Sequence, residues 1–319
     1  MKPKIVSLFS GAGGMDLGFK QAGFETIYAN EYDKTIWNTF AYNFPNVQLE
    51  RKDVRNIKSE EIPDVIGIIG GPPCQSWSEA GSLRGINDSR GKLFFDYIRI
   101  IKDKRPAFFV AENVSGILHE RNKIAFNEII SQFEALGYKV QYKLLNAKNY
   151  NIPQDRERVF VVGFLKSIDF EFPKPSEARL TLEDAIFDLK DNAEAFNGDT
   201  LDDFNHEYYT AGFSSMFMSR NRVRNWNEQS FTIQAGGRHA PIHPQAPKME
   251  FIEKDKRIFK VGSENLYRRL SVRECARIQT FPDDFKFIYR NVLDGYKMVG
   301  NAVPVNLAKI IATQILKYL

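Results

Sequence analysis

One cysteine sits in a segment unlike the rest of the chain: Gly70-Gly71-Pro72-Pro73-Cys74-Gln75-Ser76-Trp77-Ser78. It follows the apolar run Val65-Ile66-Gly67-Ile68-Ile69. A strand there puts Cys74 at the carboxyl edge of a sheet, where open α/β sheets bind ligands. A structural cysteine belongs inside an apolar run, whereas glycines and prolines together specify a stiff loop. A free thiol of pKa about 8.5 is mostly protonated near neutrality, so a nucleophile at this position needs help. Lowering its pKa by one unit corresponds to about 1.4 kcal/mol, within reach of a helix N-terminus or a nearby arginine.

Two more segments end or begin apolar runs with charge. Ala111-Glu112-Asn113-Val114 closes the run from Ala107, and a carboxylate there is costly unless it has a partner or a task. Gln154-Asp155-Arg156-Glu157-Arg158 precedes the run Val159–Phe164. Arg156 and Arg158 alternate, so on an extended chain they point the same way. Cys74, Glu112, Arg156 and Arg158 are the candidate catalytic group: a nucleophile, an acid and two cations. Read singly, the last segment is a surface ion-pair cluster. Three such pieces at strand ends of one sheet favour convergence.

The N-terminal end offers a ligand site of another kind. Phe9-Ser10-Gly11-Ala12-Gly13-Gly14 lies between a strand and a helix, where glycines admit close backbone approach and the helix start presents free N–H groups. The spacing lacks the third glycine of the dinucleotide fingerprint. Glu31 follows at the end of the next strand, roughly twenty residues on, where an acidic residue takes ribose hydroxyls. Asp53 ends a further segment and could accept from an adenine amino group. In that order the residues favour an adenosine-type ligand without a pyrophosphate.

The elements that must position these groups are legible as short apolar runs. Strands are expected at Ile5–Phe9, Thr26–Asn30, Val65–Ile69, Ala107–Ala111 and Val159–Phe164, with helices from about Met15 to Ala22 and Asp33 to Asn43. Runs that are apolar throughout and separated by helices imply a parallel sheet covered on both faces. After about Lys166 the rhythm breaks; Phe172-Pro173-Lys174-Pro175 reads as a linker, and the chain to about Arg290 is polar and loop-rich. Val303–Leu319 has an amphipathic helical pattern that could return to the first domain. The expected division is a catalytic domain of residues 1–172 plus 291–319 and a recognition domain of residues 173–290.

Composition sets bounds without choosing a function. The chain has 319 residues, 43% hydrophobic and 26% charged, which suits a globular protein. No apolar run approaches the roughly 18 residues of a membrane span, and the N-terminus lacks a signal-peptide pattern. The cell interior is the expected location, with no membrane partner. Cys74 and Cys275 are the only cysteines, so no disulfide framework and no metal site is expected. The net charge of +4 permits a nucleic-acid partner without requiring one.

With these residues in view, the sequence resembles the bacterial cytosine-5 DNA methyltransferases of type II restriction–modification systems. Their ordered motifs match Phe9 to Gly14, Glu31 with Asp53, Gly71 to Gln75, Glu112-Asn113-Val114, and Gln154 to Arg158. Arg268 to Gln279 resembles the helix that packs the two domains together. Gly300-Asn301-Ala302-Val303-Pro304 resembles the final cofactor motif. The resemblance implies a Rossmann-like S-adenosylmethionine-dependent methyltransferase α/β fold with a smaller, irregular target-recognition domain. It implies S-adenosyl-L-methionine as cofactor, held by Phe9, Ser10, Gly11, Gly13, Gly14, Glu31, Tyr32, Asp53, Val54, Pro73, Asn301 and Val303, with Tyr32 stacking on adenine. Core packing is the alternative for Tyr32, Val54 and Val303. It further implies attack by Cys74 on carbon 6 of a flipped cytosine, with Glu112 at ring nitrogen 3 and Arg158 holding base and carboxylate, Arg156 nearby. Cys275 is expected to be a packing residue.

In the irregular region, Met218-Ser219-Arg220-Asn221-Arg222-Val223-Arg224 puts three arginines on one side if extended, and Gln234-Ala235-Gly236-Gly237-Arg238 adds another on a flexible loop. Arg220, Arg222 and Arg238 are expected to read guanines and Arg224 is less clearly a reader; phosphate contact or plain surface is the alternative for each. Gln75 and Ser76, following the nucleophile, are further candidate DNA contacts. Ser219 to Arg224, Arg238 and His243-Pro244-Gln245-Ala246-Pro247 resemble the recognition segment of the GGCC-specific enzymes. The expected partners are double-stranded DNA and a functionally paired restriction endonuclease, with the chain itself a monomer. A tRNA cytosine-5 methyltransferase on the same scaffold should differ in this region, and a non-catalytic DNA-binding relative should lack Cys74 or Glu112.

Overall fold

The computed structural model describes residues 1–73, 92–198 and 204–319, so Cys74, Gln75 and Ser76 lie outside the described residues. Strands β1 (Lys4–Leu8), β2 (Glu25–Asn30), β3 (Gln48–Glu50), β4 (Gly67–Gly70), β5 (Phe108–Val114), β6 (Lys139–Asn146) and β7 (Glu157–Phe164) form one sheet. Its order is β3-β2-β1-β4-β5-β7-β6. The first five run parallel, while β7 is antiparallel to both β5 and β6.

Helices α1 (Gly14–Ala22), α2 (Trp37–Asn43), α3 (Lys92–Lys104) and α4 (Lys123–Ala135) accompany the sheet, and α5 (Leu182–Ile186) begins the C-terminal part. Then follow α6 (Val272–Ile278), α7 (Val292–Asn301) and α8 (Val305–Leu316). Period-two alternation divides the apolar strands between two cores. Ile5, Phe108, Val110, Phe160 and Val162 face Phe19 of α1 and Ile311 of α8. Val6, Phe109, Ala111, Val159 and Val161 face Tyr97 of α3 and Phe133 of α4. Both faces of the sheet are therefore covered, which is why these runs are apolar throughout.

The expected parallel sheet is corrected at its far side. The run at Val159 is a strand, but it reverses direction because β6 feeds it through a short connection rather than a helical crossover. β6 carries the polar pattern of an edge strand, with Tyr142, Lys143 and Leu144 exposed, and β3 has only three residues. Neither shows a buried-strand signature. The helix expected from Asp33 starts at Trp37, because the Asp33 carboxylate accepts the N–H (3.0 Å) and hydroxyl (2.8 Å) of Thr35 and fixes a turn instead.

The C-terminal stretch does return to the sheet. By length and composition Val292–Leu316 could cross a membrane. It is broken at Ala302–Pro304, and its apolar side chains fill two of the protein's cores. α8 lies so close to α1 that a Cβ on Gly18 would stand 2.5 Å from the Ala308 Cβ and from the Val305 carbonyl oxygen.

A third core joins Phe40 of α2 to Ile186, Ile233, Leu270 and Tyr296, and Cys275 is fully buried within it. A fourth, smaller core gathers Phe217, Val223, Ile242, Ala246, Met249 and Tyr267. The hairpin β10 (Glu250–Glu253) and β11 (Lys256–Ile258) lies beside it, whereas the residues that follow the two-residue pair β8 (Glu194–Ala195) and β9 (Glu207–Tyr208), Phe196 and Tyr209, pack against the third core. The segment expected as one helix from Arg268 is helical only over α6, because Ser271 caps it in a reciprocal capping box with Glu274. Glu274 also takes both Nη groups of Arg268, at 2.7 and 2.8 Å, and faces His243 Nε2 at 3.3 Å. His243 Nδ1 accepts the Gln245 N–H, so the imidazole proton sits on Nε2, toward Glu274. Burial pushes the His243 pKa down to about 4.

Two consequences are measurable. Gly18→Ala forces α8 off α1 and should cost about 1–3 kcal/mol, read as a lower urea midpoint at unchanged slope; an unchanged midpoint would mean the two helices are not in this close contact. His243 is neutral in the folded chain and charges in the unfolded chain as pH falls below 6.5. Its stabilising contribution is thus present above that pH and lost as pH falls toward about 4. The stability difference between wild type and His243→Gln should shrink by about 2–3 kcal/mol between roughly pH 7.5 and 4.5. Asp16, whose buried carboxyl is pushed up to about 7, contributes with the opposite sign but cancels in that difference. A pH-independent difference excludes a buried neutral His243.

Candidate active site and DNA cleft

Residues from five strands meet at the carboxyl edge of the sheet. β5 ends there, and the reversal of β7 brings its first residues to the same edge: Val114 pairs with Arg158 and Glu112 with Phe160. Glu112 and Arg158 are diagonal neighbours on one face, and Arg158 Nε lies 2.9 Å from Glu112 Oε1. Both are largely buried. Burial raises the pKa of Glu112, opposed by the charges of Arg158 and Arg156. Burial lowers that of Arg158, opposed by Glu112. Burial thus opposes the ionisation of both groups while each favours the charge of the other, and the guanidinium fixes the orientation of the carboxyl.

Asn113 secures the neighbouring loop. Its Nδ2 donates to the Pro72 carbonyl at 2.9 Å, and its Oδ1 accepts the Val114 N–H at 2.9 Å. The chain entering Cys74 is thereby tied to the strand that carries Glu112.

A cavity of about 380 Å³ opens beside this pair. Of the residues expected to hold a cofactor, Phe9, Ser10, Gly11, Gly14, Glu31, Pro73, Asn301 and Val303 line it. The turn is wound tightly, with Phe9 at φ 55°, a left-handed conformation uncommon outside glycine. Glu31 Oε2 accepts the Gly11 N–H (2.9 Å) and Oε1 the Asp33 N–H (2.7 Å). Burial raises its pKa, against those hydrogen bonds. Each oxygen keeps a lone pair for a sugar hydroxyl. Ser10 Oγ is buried with no hydrogen-bond partner among the described residues. An adenosine-type group with polar substituents fits such a lining.

Other expected residues are placed elsewhere. Gly13 is the N-cap of α1, its φ of 91° stacking it against the Phe44 ring. Tyr32 is 70% exposed, so its ring is outside the core and available at the surface. The Asp53 carboxylate is engaged by Arg55, accepting from its Nε at 2.9 Å. Val54 is a core residue whose carbonyl accepts from Arg99. Arg156 lines neither this cavity nor the arginine-lined one described below: it is fully buried, and its Nη groups donate to the carbonyls of Ile233, Gly300 and Ala302. It reaches Glu112 only through charge.

Asp33 and Asn122 also line the cavity and were missed by the sequence reading. So was Asp16 beneath it, which accepts from Ser7 Oγ (3.0 Å) and Thr26 Oγ1 (3.2 Å). A serine within the run Ile5–Leu8 was the one available signal.

A second cavity, of about 370 Å³, is lined by Asp155, Arg158, Arg220, Arg222, Gln234 and His239 among others. Arg158 lines both cavities, and its partner Glu112 lines the first. The arginines of the expected common face diverge. Arg220 and Arg238 are exposed. Arg222 is buried, with Nε and Nη2 on the carbonyls of Phe217 and Met216. Arg224 pairs with Glu228 at 3.2 Å and lies 4.2 Å over the Phe231 ring.

Comparison with known proteins agrees with this geometry. A profile of the C-5 cytosine-specific DNA methylases matches residues 3–317. The type II methyltransferase M.FnuDI of Fusobacterium nucleatum is 60% identical over 98% of this chain and 94% of its own length. M.NgoPII of Neisseria gonorrhoeae is 56% identical over 99% and 96%. A prophage-encoded Escherichia coli protein shares the fold, with a TM-score of 0.77 at 24% identity over 99% of each chain. The carboxyl–arginine pair, the adjoining cavity and these likenesses agree: the chain is a type II DNA cytosine-5 methyltransferase and belongs to the C-5 cytosine-specific DNA methylase family.

Proposed function

We propose that the protein methylates carbon 5 of the inner cytosine in GGCC within double-stranded DNA, with S-adenosyl-L-methionine as donor, and so protects host DNA from an endonuclease of the same specificity. It would act inside the cell, as a monomer. The observation that carries this reading is the buried Glu112–Arg158 pair set between a ligand cavity and an arginine-lined cleft. The GGCC assignment rests on the likeness of Ser219 to Arg224, Arg238 and His243 to Pro247.

The chemistry needs each group where its strand ends. When bound, S-adenosyl-L-methionine supplies an electrophilic methyl on a sulfonium. Carbon 5 of cytosine is too weakly nucleophilic to take it unaided. Cys74 thiolate adds to carbon 6, and Glu112 hydrogen-bonds or protonates ring nitrogen 3 as the adduct forms. Arg158 keeps Glu112 aimed at the base. After transfer, a base removes the carbon 5 proton and Cys74 leaves. None of these atoms is reachable in stacked duplex, so the cytosine must leave the helix. Glu31, Ser10, Asn301 and the turn at Phe9 hold the cofactor.

Bisulfite sequencing of plasmid DNA from expressing cells tests the whole reading; protection confined to the inner cytosine of GGCC is expected, and another site overturns the specificity. Cys74→Ser should abolish transfer while retaining DNA binding, because a neutral hydroxyl is a far weaker nucleophile. Wild type should form a denaturation-stable adduct with 5-fluorocytosine duplex, and substantial methylation by the serine variant would sink the mechanism. The exposed Arg220 and Arg238 should each cost about 1–3 kcal/mol on GGCC when changed to alanine, and should relax preference at one base pair. Arg224→Ala, by contrast, removes a cation already paired with Glu228 and should act equally on all duplexes. Binding to GGCC and its single-base variants at two salt concentrations distinguishes these, and uniform losses throughout would reduce Arg220 and Arg238 to backbone contacts.

A further inference from the structure

Three buried polar side chains outside the reacting pair stitch together segments that belong to different cavities. Arg156 Nη1 donates to the Ile233 carbonyl at 2.9 Å, while Nη2 donates to the carbonyls of Gly300 (2.8 Å) and Ala302 (3.0 Å). Gln154 Oε1 accepts the Ile233 N–H at 2.9 Å, so both main-chain groups of Ile233 are held. Gln154 Nε2 donates to Gln279 Oε1 at 2.9 Å. Gln279 Nε2 in turn donates to the carbonyls of Val299 (2.9 Å) and Ala302 (3.3 Å).

The two segments so joined are the last turn of α7 and the strand of chain before the recognition loop. Asn301, Ala302 and Val303 line the cofactor cavity, and Gln234 lines the arginine cleft. The backbones themselves touch: a Cβ on Gly300 would lie 2.3 Å from the Gln234 carbonyl. Arg156, Gln154 and Gln279 are all fully buried, where an unmade hydrogen bond has no water to replace it. Residues 299–302 therefore cannot shift without moving Ile233 and Gln234, which lead directly to Arg238.

We propose that Arg156, with Gln154 and Gln279, is a positioning lattice that couples occupancy of the cofactor cavity to the posture of the DNA-reading loop, so that cofactor and target duplex bind cooperatively. This rests on the assignment of the two cavities given above. Arg156 is then a positioning residue: it touches neither base nor cofactor, and its effect on both travels through main-chain carbonyls. Coupling of this kind is reciprocal, each ligand tightening the other by one shared factor.

The test measures dissociation constants for a GGCC duplex with and without saturating S-adenosylhomocysteine, and for S-adenosylhomocysteine with and without duplex. Wild type, Arg156→Lys, Gln279→Met and Arg238→Ala are compared, with thermal melts to confirm folding. In wild type both titrations should give the same enhancement, on the order of 5–150-fold. Lysine cannot span three carbonyls and methionine donates to none, so in both variants the factor should collapse to near one. Their affinity for S-adenosylhomocysteine alone should stay within roughly threefold of wild type, about half a decade. Arg238→Ala should weaken duplex binding while keeping the wild-type factor. Should Arg156→Lys not fold, Gln279→Met decides alone. A factor of one in wild type, or factors in the lattice variants equal to wild type, overturns the coupling and leaves the function intact. Failure of wild type to bind either ligand by itself overturns the function, and the coupling with it.

Discussion

Glu112 and Arg158 are buried side by side at an edge where water would otherwise solvate each, and neither would be tolerated without the other. That requirement governs the sheet. In a strand parallel to its neighbours, the residues at the carboxyl edge would be the last ones, Gly163 and Phe164, and Arg158 would sit at the opposite end. Running β7 antiparallel reverses this and sets Arg158 against the end of β5. The one reversal of direction among the described strands of the sheet is thus what allows these two side chains from distant parts of the chain to meet.

The region that covers this edge has little regular structure, and its main-chain polar groups are satisfied by side chains instead. Arg269 donates to the carbonyls of Tyr209, Ala211 and Gly212 and lies 4.0 Å over the Phe213 ring. Arg273 donates to Phe204 and Phe285, and Asn205 brackets Phe287 with both ends of its amide. Asn43 of α2 does the same for Lys286. These ties let a loop-rich lobe hold a fixed posture over the sheet without strands or long helices of its own.

Arginine consequently serves two ends in one molecule. Arg156, Arg222 and Arg269 are buried and spent on carbonyls, where a planar fork of donors organises several segments at once. Arg220 lines the cleft and Arg238 is exposed on the loop that follows Gln234; in the function proposed above, the same fork would read a guanine edge. A lysine could replace neither kind without losing the geometry.

The sequence by itself singled out the candidate chemistry-bearing residues and determined five of the sheet's seven described strands. Apolar runs covered on both faces read unambiguously, as did the turn from Phe9 and the acid at Glu31, because each depends on neighbours only a few residues away; the loop around Cys74 was singled out in the same way and lies outside the described residues. Only the tertiary structure decided what depends on distant contacts. β6 escaped notice because an edge strand alternates with solvent, and the direction of β7 is invisible in a run of valines and phenylalanines. Arg156 and Arg222 looked equivalent to Arg158 and Arg220, since alternation along a chain says which side a residue faces but not what lies there. For Arg156 it is three carbonyls brought in from residues 233, 300 and 302. For Arg158 it is the carboxyl of Glu112, and that difference separates a residue that joins buried segments from one that faces both cavities.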